Sequence, residues 1–154
     1  MIGSKNVTHF WADFCDASAI DPATPYQVWS FGNSPEMASE LAGLVMSGTK
    51  TATASLFETN KLKPGQAPVD AGYSVVTTYE GEPLCVIQTA EIRYVPFCNV
   101  DAEFAYDEGE DDRTLGAWRK GHLAYFTREA AECGFDFDEN SIVCCERFRL
   151  LFPK

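Results

Sequence analysis

The residues best suited to chemistry are a lysine and a threonine in the segment Gly48–Thr53. Burial can lower the pKa of a lysine until it acts as a base, and a threonine hydroxyl can act as a nucleophile when a base is near. In a regular strand Lys50 and Thr53 would face opposite sides, so they converge only if the chain turns or bulges after Gly48. The alternative is a capped helix followed by an exposed, threonine-rich strand.

A second cluster is the acidic segment 107–113, which has five carboxylates in its first six positions. So many like charges need solvation, an ion pair or a bound cation. The segment is therefore either a solvated loop that caps a helix starting near Leu115, or the source of a carboxylate for the lysine site. No ligand spacing supports a divalent cation in this loop, so we expect no metal and no cofactor.

A third group lies within about one helical turn, where Trp118 and His122 share a face. Core packing is the simpler interpretation of Trp118, and a satisfied, partly buried histidine is the simpler interpretation of His122. Arg113 and Arg119 would either pair with the acidic segment or contact a phosphate.

Glu146 alternates with the apolar residues of the last strand pattern and should therefore point toward the apolar side of that strand. A buried carboxylate must be paired or neutral. We expect an ion pair with an arginine or with Lys50, which would hold the lysine in place, rather than a catalytic role.

Composition limits the class of protein. The 154 residues are 45% hydrophobic, which suits one globular domain, and the formal net charge of -11 argues against binding of long duplex nucleic acid. Six cysteines without a CxxC pair, and only two histidines, give poor support for a zinc site.

No apolar run is long enough for a bilayer, and the N-terminus lacks the apolar core of a signal peptide, so we expect a cytoplasmic protein with reduced thiols and no membrane partner. The oligomeric state stays open.

Hydrophobic periodicity predicts an α+β fold, because the strands do not alternate with helices. Four helices are predicted: residues 5–15; Pro35 to Gly48, with Ser34 as N-cap; residues 100–106, with Asn99 as N-cap; and residues 115–133, with Asp112 or Thr114 as N-cap and Gly134 as the stop. Residues 17–28 are predicted to be a loop. Four strands are predicted over residues 51–57, 73–79, 84–94 and 141–152, and the middle two form a hairpin.

Together these segments resemble the ASCH superfamily, a member of the PUA-like β-barrel group that is characterised by a G-x-K-x-x-T motif. Gly48, Lys50 and Thr53 match that motif, and the chain is similar in particular to a bacterial subgroup with G-x-K-T-x-T. Further marks follow in order: Trp29–Gly32, Gly72–Val76, Pro96-Phe97, Glu108–Glu110, Trp118-Arg119 with His122, and Cys145–Phe148. The resemblance runs from Trp29 to Phe152, which implies an ASCH domain over residues 29–154 with a helix and loop, residues 1–28, packed on it.

The resemblance implies a small β-barrel flanked by helices, with a cleft at Lys50 and a link to RNA or modified nucleosides. Some ASCH proteins are similar to amidohydrolases that deacylate N4-acetylcytidine with a Lys/Thr/Glu set, and others resemble single-strand ribonucleases or RNA-binding modules. The catalytic residues implied are Lys50, Thr53 and Glu110, with Asp111 in place of Glu110 if the segment is aligned on Thr114-Leu115. The substrate-binding residues expected are Thr51, Ser55, Tyr73, Arg113, Trp118, Arg119 and His122.

We therefore expect a protein that binds single-stranded RNA or a modified nucleoside in a Lys50-lined cleft and hydrolyses a bond there. As an amidohydrolase it would use Lys50, at the cleft mouth, as the base for Thr53, and Glu110 to position or protonate the leaving amine. As a ribonuclease it would use Lys50 to stabilise charge on phosphorus. The alternative is a non-catalytic RNA- or nucleotide-binding module in which Lys50 holds a phosphate.

Overall fold

The structure is a computed structural model that describes the backbone of residues 2–153. Its helices are α1 (Ile2–Ser18), α2 (Pro35–Met46), α3 (Phe57–Leu62), α4 (Ala102–Glu108) and α5 (Leu115–Cys133), with short 3-10 turns at Pro64–Gln66 and Phe97–Asn99. Its strands are β1 (Tyr26–Trp29), β2 (Ala52–Leu56), β3 (Tyr73–Thr77), β4 (Pro83–Pro96) and β5 (Ile142–Phe152).

The five strands form one mixed sheet in the order β1-β3-β4-β5-β2. Strand β1 runs parallel to β3, and the other neighbours are antiparallel. The α+β class is confirmed. The sheet is open, since β1 and β2 form its two edges, so the predicted small barrel is not closed.

Helices cover both faces of this sheet. Helix α1 packs through Trp11 and Phe14 on a cluster that includes Val75 and Val86, whereas α2 packs on a cluster that includes Val76 of β3. Because successive strand residues point to opposite faces, α1 and α2 lie on opposite sides of β3. Helices α4 and α5 form a third cluster with the inner residues of β2 and β5. The division of the chain at residue 28 stays a prediction.

Most predicted elements are present, but three expectations are wrong. The end of the predicted loop, residues 26–28, belongs to β1, an edge strand of only four residues that continues to Trp29, and the chain enters α3 directly after β2. Helix α4 is capped by Asp101, whose carboxylate accepts a hydrogen bond from the Phe104 amide at 2.9 Å, because Asn99 belongs to the preceding 3-10 turn.

Within residues 2–153, no helix is both long and apolar enough to cross a membrane.

Candidate functional site

A tight turn after α2 positions Lys50. Ser34 caps the start of this helix by accepting from the Met37 amide, and Gly48 follows its end with a φ of +84°, a conformation that favours glycine. The amides of Thr49 and Lys50 then both donate to the carbonyl of Leu44 at 3.0 Å. The turn after Gly48 that the sequence required is therefore present.

Lys50 lies in the interior of the protein, with only 1% of its surface exposed. Its Nζ is 2.7 Å from Glu110 Oε2, 3.5 Å from Glu108 Oε1 and 3.4 Å from the Glu108 carbonyl oxygen. An ammonium has three N–H donors, and these three oxygens can accept all of them. The expectation that Lys50 lies at a cleft mouth is wrong, because two carboxylates hold it in the interior.

Glu108 connects this lysine to helix α5. Its Oε2 accepts a hydrogen bond from Trp118 Nε1 and lies 3.1 Å from His122 Nε2. The other ring nitrogen of His122, Nδ1, is 2.9 Å from the carbonyl of Trp118. A protonated imidazole therefore has an acceptor for each of its two N–H groups. In that form of His122, the cluster of Lys50, Glu108, Glu110 and His122 has two positive and two negative charges.

The mutual charges of this cluster shift its titrations. Burial alone would raise the pKa of Glu108, but the charges of Lys50 and His122, with hydrogen bonds from His122 and Trp118, lower it well below its ordinary value. Burial alone would lower the pKa of His122, but the charge and hydrogen bond of Glu108, with the charge of Glu110, raise it. Both groups are therefore stabilised in their charged forms.

Gly109 allows the acidic segment to approach the lysine. Its φ is +71°, and a Cβ atom added there would lie 2.5 Å from the carbonyl oxygen of Thr49. The Thr51 amide donates to the Asp107 carbonyl at 2.8 Å, which fixes the contact from the other side. The sequence Glu-Gly-Glu thus brings two carboxylates to one ammonium.

Sequence reasoning selected Glu110 as the acidic partner, and it is the carboxylate that lies closest to Lys50. Asp111 is exposed. Glu108 is absent from the predicted site, and it is the more deeply buried of the two partners. Its position beside a glycine that must take a left-handed conformation was a signal for this role.

Three groups of this cluster also have the chemistry of metal ligands. One ligand atom from each of Glu108, Glu110 and His122 lies within 4.8 Å of the others. The ammonium of Lys50 is in ion-pair contact with two of them, so a metal ion would have to compete with it. The arrangement is that of a buried ion-pair network.

A cleft of about 860 Å³ adjoins the network. Its lining includes aromatic, hydroxyl and carboxylate side chains, among them Trp29, Phe31, Thr53, Ser55, Tyr125 and Glu146. Thr53 on β2 is the antiparallel partner of Glu146 on β5, so their side chains share a face of the sheet. Lys50 Nζ is 5.4 Å from the centre of the Phe31 ring, which places the lysine behind this lining residue rather than on the cleft surface.

Two of the predicted binding residues contact Tyr106 or Asp107, near the end of α4. The Thr51 hydroxyl donates to the Asp107 carbonyl at 3.3 Å, and Arg113 lies over the Tyr106 ring, 3.5 Å from its centre. Ser55 differs from them, since it lines the cleft and accepts a hydrogen bond from Asn60 Nδ2 at 3.0 Å.

The remaining predicted binding residues are occupied elsewhere. Tyr73 packs edge-on against Trp11 of α1, and Trp118 is buried and stacked on His122 with ring centres 4.2 Å apart. Arg119 donates to the carbonyl of Cys98 at 3.0 Å. The structure therefore does not bring these side chains to the cleft.

Glu146 differs from its expected role as an ion-pair partner. It is buried, and its Oε2 accepts a hydrogen bond from the Thr89 hydroxyl at 2.6 Å. Arg147, the neighbouring cation, pairs instead with Glu91 and Asp107. Burial raises the pKa of Glu146, although the Thr89 hydrogen bond and the charge of Lys50 offset part of this rise. The expected ion pair is therefore wrong, and a neutral hydroxyl takes its place.

Comparisons with known proteins agree with this architecture. The profile of the ASCH domain family matches residues 27–151. A crystal structure of a DUF984 family protein from Enterococcus faecalis is similar, with 34% identity, coverage of 97% of this chain and 89% of that one, and a TM-score of 0.86. The structure of an ASCH domain from Lactobacillus crispatus has 25% identity, coverage of 97% and 93%, and a TM-score of 0.82. None of the curated proteins matches at a significant level. The fold is the α+β, PUA-like fold of these domains, with an open sheet.

Proposed function

The chain belongs to the ASCH family, and from this premise we propose that it binds a modified nucleoside or a base of single-stranded RNA in its large cleft and hydrolyses an acyl amide there. The family is associated with RNA binding, which supports a ligand of this class. The cleft volume of about 860 Å³ is within the range of small-molecule sites. Aromatic and hydroxyl groups in its lining suit the flat face and polar edge of a base.

The charge of the cleft favours a nucleoside over a long strand. Among the described residues that line it, the basic side chains Lys63 and Arg128 are set against the acidic Glu129, Glu132 and Glu146. Affinity for a nucleic acid backbone grows with the number of phosphates that basic side chains neutralise. This lining can neutralise few phosphates, so recognition of one base is the better match.

The observation that carries the proposal is the position of Thr53. Its half-buried side chain lines the cleft next to Glu146 across the strands, and Phe31, whose ring contacts Lys50, lines the same cleft. A threonine hydroxyl can attack an acyl carbonyl when a nearby group accepts its proton. We assign Thr53 the role of nucleophile. Lys50 and Glu110 lie behind the cleft surface, where their charges act on the site and their ion pair fixes the segment that leads into β2.

A non-catalytic binding module is the second candidate, and one observation favours it. Acceptor oxygens lie within reach of all three N–H donors of Lys50, which is the arrangement of a structural ion pair. If Lys50 has only this structural role, the cleft binds its ligand and catalyses no hydrolysis.

The test is to incubate the protein with N4-acylated cytidine and, separately, with a short single-stranded RNA, with and without EDTA, and to identify products by mass. Deacylation that Thr53→Val abolishes, with Ser55→Ala added to remove a substitute hydroxyl, supports the amidohydrolase. RNA cleavage that Thr53→Val lowers only modestly supports a ribonuclease instead. Ligand binding without any product supports the binding module.

A further inference from the structure

We propose that Glu146 is a further catalytic residue of this cleft, the group that exchanges protons with Thr53 during hydrolysis. The inference rests on the proposed function and assigns one step of it. Thr53 and Glu146 are direct partners on antiparallel strands, and both line the cleft. Direct partners in such a ladder have Cβ atoms about 4.5 to 5.5 Å apart, which lets a carboxylate reach a neighbouring hydroxyl.

The other two residues of the implied catalytic set, Lys50 and Glu110, are already engaged with each other. The ammonium of Lys50 donates to Glu110 and Glu108, and its side chain has no exposed surface. A charged amine of this kind has no free electron pair to take a proton. Glu110 is paired with Lys50 and is not among the residues that line the cleft.

The surroundings of Glu146 suit a proton carrier. From β4 the neutral Thr89 donates to it, from β2 the neutral Thr53 faces it, and Lys50 and Cys144 are the titratable groups that interact with it. Burial raises its pKa, with Thr89 and Lys50 lowering it again in part. A carboxylate with a raised pKa holds a proton more readily at neutral pH than an ordinary glutamate does.

The hydrolysis then balances with no further reactant than water. Thr53 Oγ forms a bond to the acyl carbon as its proton moves to the Glu146 carboxylate, and the carbonyl π electrons move onto oxygen. The tetrahedral intermediate collapses, the C–N bond breaks, and the amine leaves with the proton from Glu146. Water attacks the resulting ester, gives a proton to Glu146, and Glu146 returns it to Thr53 as the free acid departs.

Glu146→Gln is the first test, since glutamine has the same shape and can still accept from Thr89. With an N4-acylated cytidine as substrate, kcat should fall about 10² to 10⁴-fold, the usual contribution of general acid–base catalysis, with KM little changed. The decline of kcat at low pH should also disappear, because the group that titrates has been removed.

Thr89→Val separates catalysis from a structural role. The Thr89 hydrogen bond lowers the pKa of Glu146, so its loss should raise that pKa and move the acidic limb of the pH profile to higher pH. A merely structural Glu146 would give no such shift. Glu129→Gln is the matched comparison, since Glu129 lines the same cleft, accepts from Thr59 at 3.0 Å and also has a pKa raised by burial. It should change KM and leave the acidic limb in place.

The outcomes distinguish this assignment from the function on which it rests. If Thr53→Val is inactive while Glu146→Gln keeps the wild-type kcat and pH profile, Glu146 is not the proton carrier and the proposed function stands. If the wild type deacylates no acylated nucleoside, both proposals fail. Loss of kcat and of the acidic limb in Glu146→Gln, with the shift in Thr89→Val, establishes the assignment.

Discussion

The ammonium of Lys50 lies 2.7 Å from Glu110 Oε2, although the lysine side chain has no exposed surface and the glutamate is only 23% exposed. Taking a charge out of water is costly, and the pair offsets this cost only while both partners are present. The same lysine also contacts Glu108, which is fully buried. Removal of Lys50 alone would therefore leave both carboxylates without their cation.

We predict that Lys50→Met lowers the free energy of unfolding by about 3 to 5 kcal/mol, since it leaves buried carboxylates without their cation. Urea denaturation followed by circular dichroism measures this. The matched control is Lys61→Met, which breaks an exposed pair with Glu58 at 3.1 Å and should cost no more than about 1 kcal/mol. Adding Glu110→Gln to Lys50→Met should recover part of the loss. Equal costs for Lys50→Met and Lys61→Met would contradict a buried network.

The carboxylates of the acidic segment should contribute unequally to stability. Glu108→Gln should cost most, because Glu108 faces both Lys50 and His122 in the interior, and Glu110→Gln should cost less, because Glu110 is partly exposed. Asp111→Asn should change the free energy of unfolding by less than about 0.5 kcal/mol, as is usual for exposed positions. Denaturation midpoints of the three variants give the order, and an Asp111 variant as unstable as the Glu108 variant would contradict the observed pairing.

The sequence predicted the local structure of this site better than its burial. Gly48 and the Ser34 cap are short-range signals, and both lie where expected. The burial of Lys50 depends on the contact of residues 107–110 with the start of β2, almost sixty positions along the chain. No periodicity encodes such a contact, so the lysine was placed at the cleft mouth.

Two of the predicted binding residues lie away from the cleft for a related reason. Tyr73 and Trp118 are aromatic and belong to segments that carry the family resemblance, so they were expected to stack on a base. Both instead pack against residues of the core. Tyr73 packs under α1, and Trp118 donates to Glu108 from within the α5 cluster. Glu146 was correctly expected to be buried, yet its hydroxyl partner Thr89 could be found only from the β4–β5 register, which shifts at a bulge between Thr89 and Glu91.

Gly109→Ala should destabilise the protein because a methyl group has no room at this position. The added Cβ would lie 2.5 Å from the Thr49 carbonyl oxygen, and the φ of +71° is itself strained for alanine. We expect a loss of more than about 1 kcal/mol, as for other alanines forced into a left-handed conformation. Gly43→Ala is the control, since Gly43 lies within α2 with nothing within 4 Å of its Cβ position, and it should be neutral or stabilising. Thermal unfolding of both variants would show whether the acidic segment must approach Thr49 this closely.

The contribution of His122 to stability should decrease as pH rises. Glu108 raises the pKa of His122 in the folded protein, although burial opposes this, so protonation of His122 stabilises the fold fully below its unfolded pKa of about 6.5. This contribution is lost as pH rises through the folded pKa. The contribution of Glu108 to stability is lost as pH falls rather than as it rises. Because the pKa of Glu108 is lowered in the folded protein, that loss occurs only at acidic pH.

We therefore expect the difference in unfolding free energy between wild type and His122→Gln to be largest near pH 5.5 to 6 and to narrow steadily toward pH 9. The difference comes from urea denaturation at each pH. His9→Gln is the comparison, because His9 lies on the surface beside Asp13 with 82% of its side chain exposed, and its substitution should give a small difference throughout. A difference for His122→Gln that stays constant or widens with pH would mean that this imidazole is neutral in the fold and that the pairing with Glu108 is not one of opposite charges.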